Sequence, residues 1–240
     1  MSMRKRVPVA LGAALAAGVL AAVALGQDVV PIQISATVTV TPDKAGTPSH
    51  PRSIRVDARG TIDTPDERAP LMPRSVDVWL PKGWIYNGAK RPACTLAKLR
   101  TSGPRACPQR SFISWSTSGI GDPNDLSPPP RVTVINGGRS KMYFWVVLDL
   151  PARVQTAVTG TLTKLSSPRW SYRLHADVPP ILHVVSGIPI VVDSFHMTVR
   201  EDDWIVTTHC PRDRLWRYHL RMTHTSGQVI DTGGSVPCRS

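Results

Sequence analysis

Four cysteines carry the most definite chemistry in this chain of 240 residues: Cys94, Cys107, Cys210 and Cys238. An even number of thiols in an exported chain favours disulfides, and four thiols allow three connectivities. The favoured pairing is local in sequence, Cys94–Cys107 with Cys210–Cys238, and chain entropy makes each closed loop worth roughly 3 kcal/mol. A zinc site is the weak rival, because no CxxC pair occurs and the thiols should meet oxidising conditions. A row of basic side chains comes next. Arg217, His219 and Arg221 alternate with apolar residues and so point to one face of a strand, with Arg212 and Arg214 just before it. Such a row pairs with phosphates or uronates. A solvated sheet face is the plainer reading.

Other reactive types converge less. His175, His183, His196, His209, His219 and His224 crowd the C-terminal half, but their spacings fit no ligand motif. Asp122-Pro-Asn124-Asp125 and Glu201-Asp202-Asp203 offer clustered oxygens to a hard cation, yet neither completes a calcium loop. They read as solvated turns. GxSxG, HExxH, GxGxxG and a phosphate-cradling glycine loop are all absent. No catalytic residue, metal or cofactor is therefore expected.

The elements that must position these residues are strands. Ile32 to Val40 alternates apolar and polar without a break, as do Ile54 to Arg59 and Val76 to Leu80. Val132 to Ile135 runs into Asn136-Gly137-Gly138, a hairpin signal in which a type I′ turn uses φ > 0 at both central residues. Met142 to Leu148 is apolar on both faces, which predicts a central strand covered on both sides. Val154 to Leu165, Ser171 to Val178, Phe195 to Val199, Trp204 to His209 and Trp216 to Met222 continue the pattern. Ser226-Gly227 turns the last of them back towards Cys238. The seven tryptophans sit mostly in or beside apolar runs, so they read as core and not as a sugar platform. One short helix is predicted near 95–101, ended by Ser102-Gly-Pro104. The fold class is all-β, an antiparallel sandwich, immunoglobulin-like or related. Two stacked sandwiches, with a boundary near 122–130, are the alternative.

Address and charge follow from the N-terminus. Arg4-Lys5-Arg6, an apolar stretch from Val7 to Leu25 and a small-residue exit predict a signal peptide over 1–26 and a secreted domain over 27–240. An uncleaved anchor is the rival reading. No later segment is apolar enough to span a bilayer. The net charge is +12, and loss of Arg4, Lys5 and Arg6 leaves +9. Such a surface favours anionic partners without specifying one, and no specific nucleic acid is implied.

The chain resembles an uncharacterised family of secreted β-rich proteins of high-GC Gram-positive bacteria. The residues that carry the likeness are Pro42-Asp-Lys44 with Gly46-Thr47, Pro81-Lys-Gly83 with Asn87-Gly88, and Cys94 spaced to Cys107-Pro108 and Ser111. Asn136-Gly-Gly138, Pro151-Ala-Arg-Val154, Trp170-Ser-Tyr172 and Cys210-Pro211 with Cys238 extend it. The resemblance implies export and paired cysteines and supplies no activity. The expected role is a non-enzymatic secreted or cell-envelope protein that binds an anionic wall or surface polymer. The alternatives are an envelope-directed hydrolase with catalytic groups scattered on loops, and a protein–protein module marked by an exposed apolar patch or unpaired sheet edge.

Overall fold

Period-two patterning becomes strand over most of the chain. The computed structural model describes residues 32–63, 72–119, 130–200 and 202–240. In chain order the elements are β1 (Gln33–Thr41), β2 (Arg52–Asp63), β3 (Ser75–Pro81), β4 (Trp84–Tyr86), α1 (Leu96–Ser102), β5 (Phe112–Gly119), β6 (Arg131–Asn136), β7 (Lys141–Leu148) and β8 (Val154–Lys164). They continue with β9 (Trp170–Asp177), β10 (Val184–Val185), β11 (Ile188–Pro189), β12 (Ser194–Val199), β13 (Ile205–Thr207), β14 (Leu215–Thr223) and β15 (Val229–Pro237). The predicted signal peptide and the boundary near 122–130 fall outside the described residues, save Pro130.

All strands but β10 and β11 join one antiparallel sheet, in the order β15-β14-β3-β9-β8-β7-β6-β5-β12-β2 with β1 on the far edge of β2. The sheet rolls up until β1 and β15 lie side by side. Tyr218 Oη donates to Ala36 O at 2.8 Å, and Ala45 N donates to Arg239 O at 2.7 Å. A parallel bridge between Lys44 and Arg239 completes the seam. The result is a flattened, sandwich-like roll, consistent with the all-β antiparallel expectation. Its inner face carries Val38 and Val40 of β1, Val76 and Val78 of β3, and Phe144 and Val146 of β7, all at alternate positions.

Both disulfides form in the favoured pairing, with Cα–Cα distances of 5.2 Å for Cys94–Cys107 and 5.7 Å for Cys210–Cys238. The second clamps the base of the β14–β15 hairpin, where Cys238 N also donates to Arg214 O at 2.9 Å. The first frames α1. Thr95 caps that helix by accepting from Lys98 N, and Gly103 ends it at φ +70°. Leu99, fully buried, is thereby laid against Tyr143, Trp145 and Ala157 on the outside of the sheet. This explains why β7 is apolar on both faces: one lines the interior and the other lies under α1.

The β6–β7 hairpin forms, but its turn differs from the expected one. Asn136 is the last residue of β6, paired with Met142, and Gly138 takes the positive φ of +108°. Asn136 is fully buried because its amide is used elsewhere. Its Nδ2 donates to Gly88 O (3.0 Å) and Pro92 O (2.9 Å), and its Oδ1 accepts from Tyr86 Oη (2.7 Å) and Gly138 N (2.9 Å). One side chain thus ties the crossing from β4 to the sheet.

The register gives the roll two unlike ends. At one, β13 takes residues 52–54 of β2 and carries β4 with it. Trp84, Trp204 and Trp216 of that region are almost wholly buried, and Trp84 meets Trp216 edge-on at 5.9 Å. The two disulfides lie at this stapled end. At the other end the turns β7–β8 and β14–β15 and the hairpin β10–β11 converge.

Candidate functional site

Inner-face side chains of eight strands converge on a cavity of about 270 Å³ in the half of the roll away from the disulfides. Val76 and Val78 of β3 face Phe144, Val146 and Leu148 of β7, with Val158 of β8 and Leu174 and Ala176 of β9 between them. Met197 of β12 and Leu220 and Met222 of β14 close the ring. Pro73, Pro130, Val178, Leu182 and Val192 extend the lining to the open end. The void exists because size changes along the barrel axis. Three indoles fill the stapled end, whereas aliphatic side chains with Phe144 and Phe195 line the other. Apolar walls facing such a space lack the dispersion contacts of a close-packed core. With so few polar groups in its walls, it cannot hold water well either.

A glycine lets two of the lining side chains pack close to the wall. Gly160 of β8 faces inward, and a Cβ there would stand 2.8 Å from the Phe144 ring and 2.9 Å from Leu174. Its hydrogen in place of a methyl lets Phe144 and Leu174 approach the β8 backbone closely.

The basic row lies elsewhere, on the outside of the sheet. Arg217, His219 and Arg221 share the outer face of β14, as alternation predicts, while Arg212 and exposed Arg214 sit in the turn before it. Each member of the β14 row has an acid. Arg217 donates to Asp213 at 2.8 and 3.1 Å, Arg221 donates to Asp231 at 2.9 Å, and His219 lies 2.9 Å from the same carboxylate. Hydrogen bonds from Arg217 and Arg221 hold the carboxyls of Asp213 and Asp231 below the usual range. Trp79 stands within 5.6 Å of both Arg221 and Arg173, which makes the face a cation–π ladder. The sequence shows which way the arginines point. It does not show the acids, which come from a turn and a neighbouring strand.

The histidines are likewise dispersed. His175 lies 2.8 Å from buried Asp77, and His196 lies 2.8 Å from Asp57. No group of three His, Cys, Asp or Glu side chains able to hold a metal occurs among the described residues. Asp122, Asn124, Asp125 and Glu201 fall outside those residues. Asp202 is paired with Arg200 at 3.6 Å and Asp203 with Arg91 at 3.4 Å, so both carboxylates serve as ion-pair partners.

The Asp57 carboxyl is held down to about 2, chiefly by its hydrogen bond with His196, with Thr198 and Arg59 assisting against the effect of burial. A carboxyl with a native value below its unfolded 3.8 adds stability above pH 3.8 and loses it as pH falls towards 2. Asp57→Asn is therefore expected to lower stability near neutrality by on the order of 1 kcal/mol after solvent screening. Calorimetry should show the gap between variant and parent closing between about pH 4 and about pH 2. A gap that is constant across that window removes this account.

No helix among the described residues is long and apolar enough to cross a membrane. Comparison with protein-family models, with curated proteins and with solved structures found no match.

Proposed function

We propose that the protein is an exported binder of apolar molecules that takes one acyl chain, or a similarly slender hydrophobic ligand, into its rolled sheet. The observation that carries this reading is the cavity of about 270 Å³ walled by apolar side chains. Its volume is just below the roughly 300–1,000 Å³ of sites for drug-sized ligands. It suits one chain and leaves a headgroup at the mouth. Two disulfides and the basic, then apolar, N-terminal sequence support export. An anionic surface polymer held by the β14 row is the weaker reading, since Asp213 and Asp231 already occupy its guanidinium groups.

The test is titration of the purified protein with an anthroyloxy-labelled fatty acid, followed by native mass spectrometry. Saturable binding of one chain per protein is expected, with Kd of about 1 μM or tighter, corresponding to about −8 kcal/mol. Absence of saturable binding at tens of micromolar probe removes the reading.

A further inference from the structure

The five exposed large apolar side chains of the described residues are Leu150, Ile181, Val184, Ile188 and Val229, from 44 % exposed at Leu150 to 53 % at Ile181. They come from three separate segments: the β7–β8 turn, the stretch through β10–β11 and the start of β15. The register brings all three to one end. Leu148 pairs with Val154, Ser75 pairs with Asp177 and with Thr223, and Thr223 pairs with Val229. That is the end reached by the cavity. The stapled end carries none of the five.

We infer that this open end docks on a lipid surface, from which the cavity takes its ligand. The inference rests on the cavity reading above. Three observations single out a bilayer or micelle as the occupant. The five apolar side chains stand at the end of the roll that the apolar cavity reaches, outside its lining but near Leu148 and Leu182, which belong to it. A guest of that chemistry resides in a lipid phase and not in water. The side chains also come from three segments, with Ile181, Val184 and Ile188 sharing one of them, so they offer several points of insertion among acyl chains.

Charge fixes the kind of lipid. The described charged residues flanking this end are Arg74, Arg131 and Arg153 against Asp63, Asp149, Asp177 and Asp193, and Arg131 is paired with Asp149 at 2.8 Å. The basic excess of the described residues therefore lies elsewhere. Docking should be hydrophobic and indifferent to headgroup charge, unlike adsorption through the β14 face.

The experiment is flotation of the protein with phosphatidylcholine vesicles at low salt and at high salt, for the parent and for the double variant V184S/I188S. Both positions are half exposed on the short hairpin β10–β11, so folding should be preserved, as thermal unfolding will check. The parent should float with the vesicles equally at both salt concentrations. The double variant should partition about tenfold less, as expected for losing two half-buried aliphatic contacts. Its affinity for the labelled fatty acid in free solution should be unchanged, while its rate of probe uptake from vesicles should fall. A parent that binds the probe but does not float overturns the docking and leaves the cavity reading intact. A parent that floats but binds no probe overturns the cavity reading and with it the uptake of a ligand from the lipid surface, leaving only the docking. Flotation only with anionic vesicles, or equal flotation of parent and variant, also overturns the docking.

Discussion

Ala176→Phe is expected to weaken binding of the labelled fatty acid at least 100-fold. Ala176 lies on the inner face of β9, opposite Val76 of β3 and Gly160 of β8, and its methyl borders the void. A benzyl group there occupies space the ligand needs. Filling a void of this size also replaces missing dispersion contacts, so the same change should leave thermal stability unaltered or raise it. That opposite sign distinguishes occupation of the cavity from general damage. Ala176→Leu gives a graded control with a smaller loss of affinity and less risk of overpacking. If Ala176→Phe folds and binds the probe like the parent, the ligand does not lie inside the roll.

Asn136→Ala should have the largest effect on stability. Asn136 is wholly inside and holds Tyr86, Gly88, Pro92 and Gly138 through four hydrogen bonds of 2.7–3.0 Å. Truncation leaves the buried Tyr86 phenol with only its 3.4 Å bond to Lys141 O and strips the buried Gly88 carbonyl and the part-buried Pro92 carbonyl of their donor, each at a cost of about 1–3 kcal/mol. A loss of at least 3 kcal/mol is expected, or about 6–12 °C in Tm for a domain of about 200 residues. Asn136→Asp tests the cause. It keeps the acceptor for Tyr86 and Gly138 but turns a second oxygen towards the carbonyls of Gly88 and Pro92, so it should be no better than alanine. A fall in Tm below 2 °C for the alanine variant would show that the amide is dispensable.

The strands, α1 and both disulfides were legible because their signals are local. Period-two alternation over nine residues, as in β1, depends on nothing distant. Local pairing of Cys210 with Cys238 follows once the intervening residues read as one hairpin. Asn136 illustrates the opposite case. Asn-Gly is a turn signature, yet this asparagine is consumed by carbonyls some 45 residues earlier in the chain, and that demand moves the turn one residue on. Arg217 and Arg221 show a related limit. The face they occupy follows from alternation, but Asp231 reaches Arg221 only through the cross-strand register. The short strands β4, β10 and β11 have too few residues to show a period. The cavity left no mark at all. Val158 and Ala176 read as core residues whether the core is full or hollow, because a binary pattern records polarity and not volume.

The seam between β1 and β15 has a consequence for how the molecule behaves in company. Unpaired strand edges template the addition of further chains, and long apolar ones seed fibrils. Here β1 and β15, which would otherwise be such edges, lie side by side, covered by Tyr218 of β14 and joined just beyond their ends through Ala45 and Arg239. Among the described residues the sheet path ends at β15, which packs beside β1 with a bridge at Lys44–Arg239, and at β4, which offers three residues, too short a template for a growing ladder. Rolling the sheet therefore shields a strand-rich chain from others of its kind at high concentration, in addition to enclosing a core.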